Sequence, residues 1–346
     1  MHQEEHDVDE RMLETDSDSD QDLVSDSESE EELGEGDEVV RRTYVPSGVD
    51  EELECDDSAY ILYQKAETGF PCLSFDIIED DCGSGDERAN RFPLAFSMVS
   101  GTQGPKVHIN SLLVMRMSNL HRNKEKENEE EEEDEESEDE KEPEFECVQI
   151  PHVGCVNRVR QTVLGNKVVV ATWSETGSVH LWDISRALHA VNDKEAMSLY
   201  QKNNETPAPI FTFSGHQTEG FAVDWSKVSS GTLATGDCTK NIHIWKPRDA
   251  FTWHVDQQPL VGHSKSVEDL QWSPNEANVL ASCSVDKTIR VWDVRLRPSA
   301  SNVITVPDAH DSDVNVISWN KKDAAFLLSG GDDGAIKTWD LRLFAK

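Results

Sequence analysis

Basic side chains are scarce in this chain of 346 residues: 32 lysines and arginines face 69 aspartates and glutamates, for a formal net charge of -37. So acidic a chain repels phosphate, which disfavours nucleic acid as a direct ligand. Cysteine is sparse and unpatterned. The seven (Cys55, Cys72, Cys82, Cys147, Cys155, Cys238 and Cys283) never stand in Cys-x-x-Cys spacing, which argues against a disulfide framework or a zinc site and for a reducing compartment. No apolar run approaches the ~18 residues of a membrane span. The N-terminal MHQEEHDVDE lacks the basic and apolar regions of a signal peptide. Enzyme signatures are missing too: there is no Gly-x-Gly-x-x-Gly, Walker loop, Gly-x-Ser-x-Gly or His-Glu-x-x-His. These absences predict a cytosolic or nuclear protein with no catalysis, cofactor, metal or membrane.

What the chain has is a repeat. His152, His216, His263 and His310 precede Trp182, Trp245, Trp292 and Trp339 by 30, 29, 29 and 29 residues, and the last three units follow at a 47-residue step. Three units end Trp-Asp. A unit of this kind with a period of 40 to 50 residues signals a propeller blade, a four-stranded sheet stacked on its neighbours. The expected fold is therefore all-β: a β-propeller whose regular blades cover roughly 147–185, 210–247, 259–295 and 305–342. Short apolar runs at Cys72–Ile78, Leu94–Val99 and Ser111–Met117 predict one less regular blade before them. Five blades are then present. An open arc, from a C-terminally incomplete version of a seven-bladed protein, is the reading preferred over a closed ring of five.

The third unit shows the logic. Val267, Asp269 and Gln271 alternate with Glu268, Leu270 and Trp272, as in a strand packed on both sides. Val279–Cys283 and Thr288–Trp292 follow as strands, joined by turns at 273–275 and 285–287. This unit resembles the WD repeat, and the resemblance implies a buried hydrogen-bonded chain of His263, Ser282, Asp286 and Trp292. The fourth unit repeats it as His310, Ser329, Asp333 and Trp339. In the first two units Thr176 and Thr239 stand at the Asp position, so those blades are expected to lock less firmly. The repeat explains the histidines as framework rather than as catalytic groups or metal ligands.

Charge marks the segments outside the blades. Residues 1–40 hold 18 acids and one base, and residues 125–146 hold 16 acids and two lysines. Such stretches cannot bury enough apolar surface to offset ordering entropy. The expected organisation is a disordered acidic tail over 1–43, an arm and short helix over 44–69 and a propeller over 70–346. The propeller is interrupted by a disordered acidic insertion at 121–146 and by a part-helical insertion at 186–209. Asp57-Ser58 would cap a short helix over Ala59–Glu67, which carries Tyr60 and Tyr63.

Candidate binding residues follow. Glu129, Glu130, Glu131, Glu132, Glu133, Asp134, Glu135 and Glu136 form eight unbroken acids, suited to neutralising a basic client through many weak, exchanging contacts. Ser17, Ser19, Ser25, Ser27, Ser29 and Ser137 each have an acid three residues later, the pattern of an acid-directed kinase site. Asn157, Phe221, Glu268 and Asn315 lie five residues after the repeat histidines, which predicts one height and one face in every blade. Arg295 and Arg342 close two Trp-Asp-x-Arg ends, similar to the motif by which some WD-repeat proteins dock on a cullin-type ubiquitin ligase adaptor. The alternative is that each arginine merely pairs on the blade rim.

Beyond single repeats, the chain resembles the glutamate-rich WD-repeat protein family, relatives of the histone-binding WD-repeat chaperones. The resemblance rests on Tyr44-Val45-Pro46-Ser47-Gly48, on Ser58-Ala59-Tyr60 through Gly69-Phe70-Pro71-Cys72-Leu73-Ser74-Phe75-Asp76, on VSGTQ at Val99–Gln103, on the glutamate run and on the blades. It implies seven blades in a full member, a nuclear or nucleolar location, and a chaperone for basic proteins: a newly made large-subunit ribosomal protein and core histones. It also implies a groove for a partner beside the N-terminal helix, with Tyr60 and Tyr63 on it. A monomer is expected.

Overall fold

Short β-branched runs broken by Gly, Asp and Asn turns fold into five antiparallel sheets. The computed structural model describes residues 59–80, 88, 91–123, 142–203, 207–249 and 251–344. The acidic tail, the arm before Ala59, Glu129 to Glu136 and the six candidate serines lie outside the described residues.

The first sheet holds β1 (Cys72–Ile78), β2 (Leu94–Thr102), β3 (Asn110–Leu120) and β4 (Glu144–His152). The second holds β5 (Val156–Leu164), β6 (Lys167–Ser174), β7 (Val179–Asp183) and β8 (Phe211–Phe213). The third runs β9 (Ala222–Trp225), β10 (Leu233–Gly236), β11 (Ile242–Arg248), β12 (Thr252–Val255). The fourth runs β13 (Val267–Trp272), β14 (Val279–Ser284), β15 (Ile289–Asp293), β16 (Asn302–Val306). The fifth has three strands among the described residues: β17 (Val314–Trp319), β18 (Phe326–Gly331), β19 (Ile336–Asp340). The first strands of consecutive sheets pack against one another, β1 on β5, β5 on β9, β9 on β13 and β13 on β17. This is the stacking of WD-repeat propeller blades.

Blade limits differ from the expected ones. His152 ends β4, so the unit 147–185 supplies the outer strand of the first sheet and three strands of the second. The units 147–185, 210–247 and 305–342 thus straddle two sheets and tie them covalently, whereas 259–295 supplies strands of the fourth sheet alone. The acidic insertion enters between β3 and β4, inside the first sheet.

Apolar residues fill the four spaces between sheets. Val169, Trp173, Leu181, Val223, Trp225 and Trp245 fill the space between the second and third. Two helices occupy the 186–209 insertion, α1 (Ser185–Asn192) and α2 (Lys194–Lys202). Asp193 caps α2 by accepting from the Ala196 N–H at 2.6 Å. α1 buries Ala187, Ala190 and Val191 in the core shared by the first two sheets.

The expected helix over Ala59–Glu67 is corrected: residues 60–68 have no regular secondary structure. Asn123 takes their backbone groups instead. Its N–H donates to the Ile61 carbonyl at 2.8 Å, its Nδ2 donates to the Tyr60 carbonyl at 2.9 Å, and its Oδ1 accepts from the Tyr63 N–H at 3.2 Å. A helix this short is marginal in water, and these bonds compete with its first turn.

Candidate functional site

A tryptophan, a hydroxyl and a histidine meet in the second to fifth sheets. In the fourth sheet Trp292 Nε1–H donates to Ser282 Oγ at 2.8 Å. Ser282 lies 2.7 Å from His263 Nε2, and His263 Nδ1 lies 3.0 Å from Asp286. Burial favours the neutral ring, whose one N–H faces the acceptor-only carboxylate of Asp286 from Nδ1, so Nε2 accepts the Ser282 hydroxyl proton while Ser282 Oγ accepts from Trp292. The fifth sheet repeats the chain through Trp339, Ser329, His310 and Asp333. Burial lowers the pKa of His263, against the pull of Asp286. A satisfied network of this kind specifies one packing and commits His263 and His310 to the framework.

The two irregular units differ from each other. In the third sheet Thr235 joins Trp245 and His216 at 2.9 Å each, and Asp237, not position 239, receives His216 Nδ1 at 2.8 Å. The carboxylate has moved two residues back along the chain, so this blade is locked, contrary to the expectation. In the second sheet Thr172 joins His152 and Trp182 at 3.0 Å, but His152 Nδ1 donates only to the Gly154 carbonyl, at 2.9 Å. Burial lowers the His152 pKa to about 4. Here the weaker lock that the sequence predicts is present.

Three of the four positions five residues after the histidines share a backbone feature. Asn157, Glu268 and Asn315 are each the extra residue of a β-bulge at the start of an innermost strand: the register slips between Val156 and Arg158, Val267 and Asp269, and Val314 and Val316. Bulges re-aim a side chain at a sheet rim. Phe221 immediately precedes β9, whose ladder is regular. The first sheet has its own bulge at Leu73, between Cys72 and Ser74. Leu73 was missed because that sheet lacks the histidine from which the others are counted. Carboxylates surround this rim. Asn157 Nδ2 donates to Glu219 Oε2 at 2.9 Å, Asn315 Nδ2 donates to Asp332 Oδ1, and Glu175 accepts from the Cys155 N–H. Asn157 is buried, Phe221 and Glu268 are half-buried, and Asn315 is exposed.

Below the rim the innermost strands clasp across sheets. Ser74 and Asp76 accept from the N–H groups of Val159 and Gln161 at 3.1 and 2.8 Å. Asp224 accepts from Trp272 at 2.7 Å; Asp269 and Gln271 accept from Ile317 and Trp319 at 3.2 and 2.7 Å. Burial pushes the Asp224 carboxyl up to about 7, reinforced by the Asp269 charge and opposed by the Trp272 N–H. Among the described residues no cluster of three His, Cys, Asp or Glu side chains could hold a metal ion.

Arg295 and Arg342 each fork onto the aspartate two residues before them, Asp293 and Asp340, with closest approaches of 2.6 Å, and remain 66% and 63% exposed. Tyr60 and Tyr63 stack with ring centroids 5.4 Å apart. Tyr60 is largely exposed, on an extended segment rather than a helix.

Comparison with known proteins agrees with this architecture. The family described as WD domain, G-beta repeat matches residues 255–293 and 301–340. The family of histone-binding protein RBBP4 and its counterpart in the CAF1 complex matches residues 50–121. The chain is 40% identical over 242 residues to Protein HEAT STRESS TOLERANT DWD 1 of Arabidopsis thaliana, covering 64% of this chain and 50% of that one. It is 38% identical to Glutamate-rich WD repeat-containing protein 1 of Dictyostelium discoideum, over 65% of this chain and 47% of that one. It is 33% identical to Ribosome assembly protein rrb1 of Schizosaccharomyces pombe, over 66% and 47%. The chain spans about half the length of the curated relatives it matches.

Proposed function

We propose that this chain is a non-enzymatic WD-repeat chaperone for basic proteins, acting in the nucleus or nucleolus. The clients are a newly made large-subunit ribosomal protein, core histones, or both, in ribosome or chromatin assembly. The observation that carries this is the rim, bulged at four of its five positions. Leu73, Asn157, Phe221, Glu268 and Asn315 vary in chemistry on a shared framework, with Glu175, Glu219 and Asp332 beside them, while the histidines are committed to that framework. Relatives named for ribosome assembly, and others named histone acetyltransferase type B subunit 2, support the client class. Recognition takes two steps: acidic tracts attract and neutralise the client, then the rim and the Tyr60–Tyr63 pair select it.

Core histones serve as the probe. Deleting residues 125–141, which stops short of β4, should weaken their binding at low salt by about tenfold or more and flatten its salt dependence. Unchanged affinity at both low and high salt refutes the reading.

A second reading rests on the two exposed arginine forks: a substrate receptor for a cullin-type ubiquitin ligase. Arg295→Ala with Arg342→Ala should abolish pulldown of the ligase adaptor and leave histone binding intact. Retained pulldown refutes it.

A further inference from the structure

Each innermost strand turns a row of backbone N–H groups toward the sheet before it, and the acceptors of that row change at one joint. The donors stand two and four residues past the bulge or its equivalent. Between the first and second sheets, Val159 and Gln161 donate to Ser74 Oγ and Asp76. Between the third and fourth, Leu270 and Trp272 donate to Asp269 Oδ1 and Asp224, at 3.0 and 2.7 Å. Between the fourth and fifth, Ile317 and Trp319 donate to Asp269 Oδ2 and Gln271. The joint between the second and third sheets departs from this. Its donors are Val223 and Trp225, 1% and 2% exposed, and among the described residues no side chain accepts from either.

Ladder geometry aims these two donors away from their own sheet. Ser226 N–H bonds the Thr232 carbonyl across β9 and β10. Alternation along an antiparallel pair then leaves Val223 and Trp225, opposite Thr235 and Leu233, at positions that exchange no ladder bond. The side chains at the accepting positions of the second sheet, one and three residues past its bulge, are Arg158 and Arg160. A guanidinium offers donors only. Where the other joints place an acceptor oxygen, this one sets two cations beside two buried N–H groups, and buried backbone donors are almost always paired. Arg158 Nε donates to the Phe221 carbonyl at 2.7 Å, and Arg160 Nη1 to the Val159 carbonyl at 2.8 Å and Ser74 Oγ at 3.5 Å. Among the described residues neither guanidinium forms an ion pair; Asp76, Asp224 and Asp269 act on them only at a distance.

We propose that Arg158, Arg160 and the N–H groups of Val223 and Trp225 form a binding site for a carboxylate on the inner side of the second and third sheets. The ligand supplies the acceptor that Asp76, Asp224 and Asp269 supply at the other joints, through charge-assisted hydrogen bonds. A monoanion fits better than a dianion, because Asp76 and Asp269 already act on the same arginines with two negative charges against two positive. The carboxylate comes either from a small free acid or from an Asp or Glu side chain of a polypeptide. Every group of the site belongs to β5 or β9, adjacent strands of a single joint. The site takes an anion, so it is separate from the rim proposed for basic clients, and neither reading depends on the other.

Tryptophan emission reports on this site, because Trp225 contributes one of its donors and its indole bonds the Arg160 carbonyl at 3.0 Å. The full chain is titrated at neutral pH and constant ionic strength with acetate, and separately with hexaglutamate. A net charge of -37 repels anions in general, so a saturable change that chloride does not produce reports a local site. Saturation by both probes shows that a free acid suffices; saturation by hexaglutamate alone assigns the site to a polypeptide side chain. Arg158→Asp copies Asp269 and Arg160→Gln copies Gln271, so each should fold with a urea midpoint near that of the parent and bind the probe about tenfold or more weakly. If Arg158→Asp does not fold, Arg160→Gln decides alone. Saturation by neither probe, the result expected if water alone meets these donors, overturns the inference. So does a folded variant that binds as tightly as the parent, or phosphate binding more tightly than acetate.

Discussion

Asp237 should be worth far more to its blade than Thr239, the residue at the aligned position. Its carboxylate is fully buried. Oδ2 accepts from His216 Nδ1 at 2.8 Å and Asn241 Nδ2 at 3.0 Å; Oδ1 accepts from the Thr239 N–H and hydroxyl and the Asn241 N–H at 2.9, 2.7 and 2.9 Å. Burial raises its pKa, but these bonds outweigh that and hold the carboxyl well below the usual range. In Asp237→Ala, Thr239 and Asn241 can turn to water, being exposed or half-buried. The buried His216 cannot, and one buried unsatisfied group costs about 1–3 kcal/mol. Adding the lost turn bonds gives about 3–5 kcal/mol, the range for breaking one partner of a buried ionic pair. Asp237→Asn keeps Oδ1 but turns an amide N–H toward His216 Nδ1–H, for about 2 kcal/mol. Thr239→Ala, the change that repeat alignment alone would nominate, removes one partly exposed hydroxyl and should cost about 1 kcal/mol or less. Urea unfolding at neutral pH, followed by tryptophan fluorescence, gives the three values. If Thr239→Ala costs as much as Asp237→Ala, the assignment of the lock to Asp237 is wrong.

Two titrating groups should pull stability in opposite directions. His152 is held neutral in the fold, so its contribution is complete above the ordinary imidazole pKa and lost as pH falls toward 4, by up to about 3 kcal/mol at ~1.4 kcal/mol per pH unit. An NMR titration should find no His152 midpoint above pH 5; a midpoint near 6.5 refutes the dominance of burial over the nearby Glu175 charge. Asp224, raised to about 7, contributes stability below the ordinary carboxyl pKa that is lost as pH rises through 7. Asp224→Asn keeps an acceptor for Trp272, so its advantage over the parent should widen by about 2 kcal/mol between pH 5 and pH 8, discounted for the partial exposure of this group. A constant gap in urea titrations counts against it. Thr176→Asp supplies the carboxylate that the second sheet lacks and should raise the His152 midpoint above 4; no change means position 176 cannot reach the histidine.

The blade framework was legible because it is periodic. Histidine, hydroxyl and tryptophan recur at near-constant spacing, and four chains of hydrogen bonds follow from that spacing. Asp237 was not legible, since the same carboxylate can reach the histidine from either of two places in the turn. The bulges were invisible for another reason. Equal spacing shows that Asn157, Glu268 and Asn315 are equivalent but says nothing of the backbone slip that aims them. Cross-sheet clasps such as Asp224 to Trp272 join residues 48 apart and leave no local trace. The expected helix at Ala59–Glu67 failed because a local cap pattern is weak evidence beside three bonds from Asn123, 60 or more residues away.

Charge makes the proposed client contact sensitive to the solvent. Raising salt from 0.1 to 1 M shortens the screening length from about 10 to about 3 Å. Binding of a basic client, drawn by tracts that carry most of the -37, should weaken over that range. If histone affinity is the same at both salt concentrations, the acidic tracts do not drive the contact and selection rests on the rim alone.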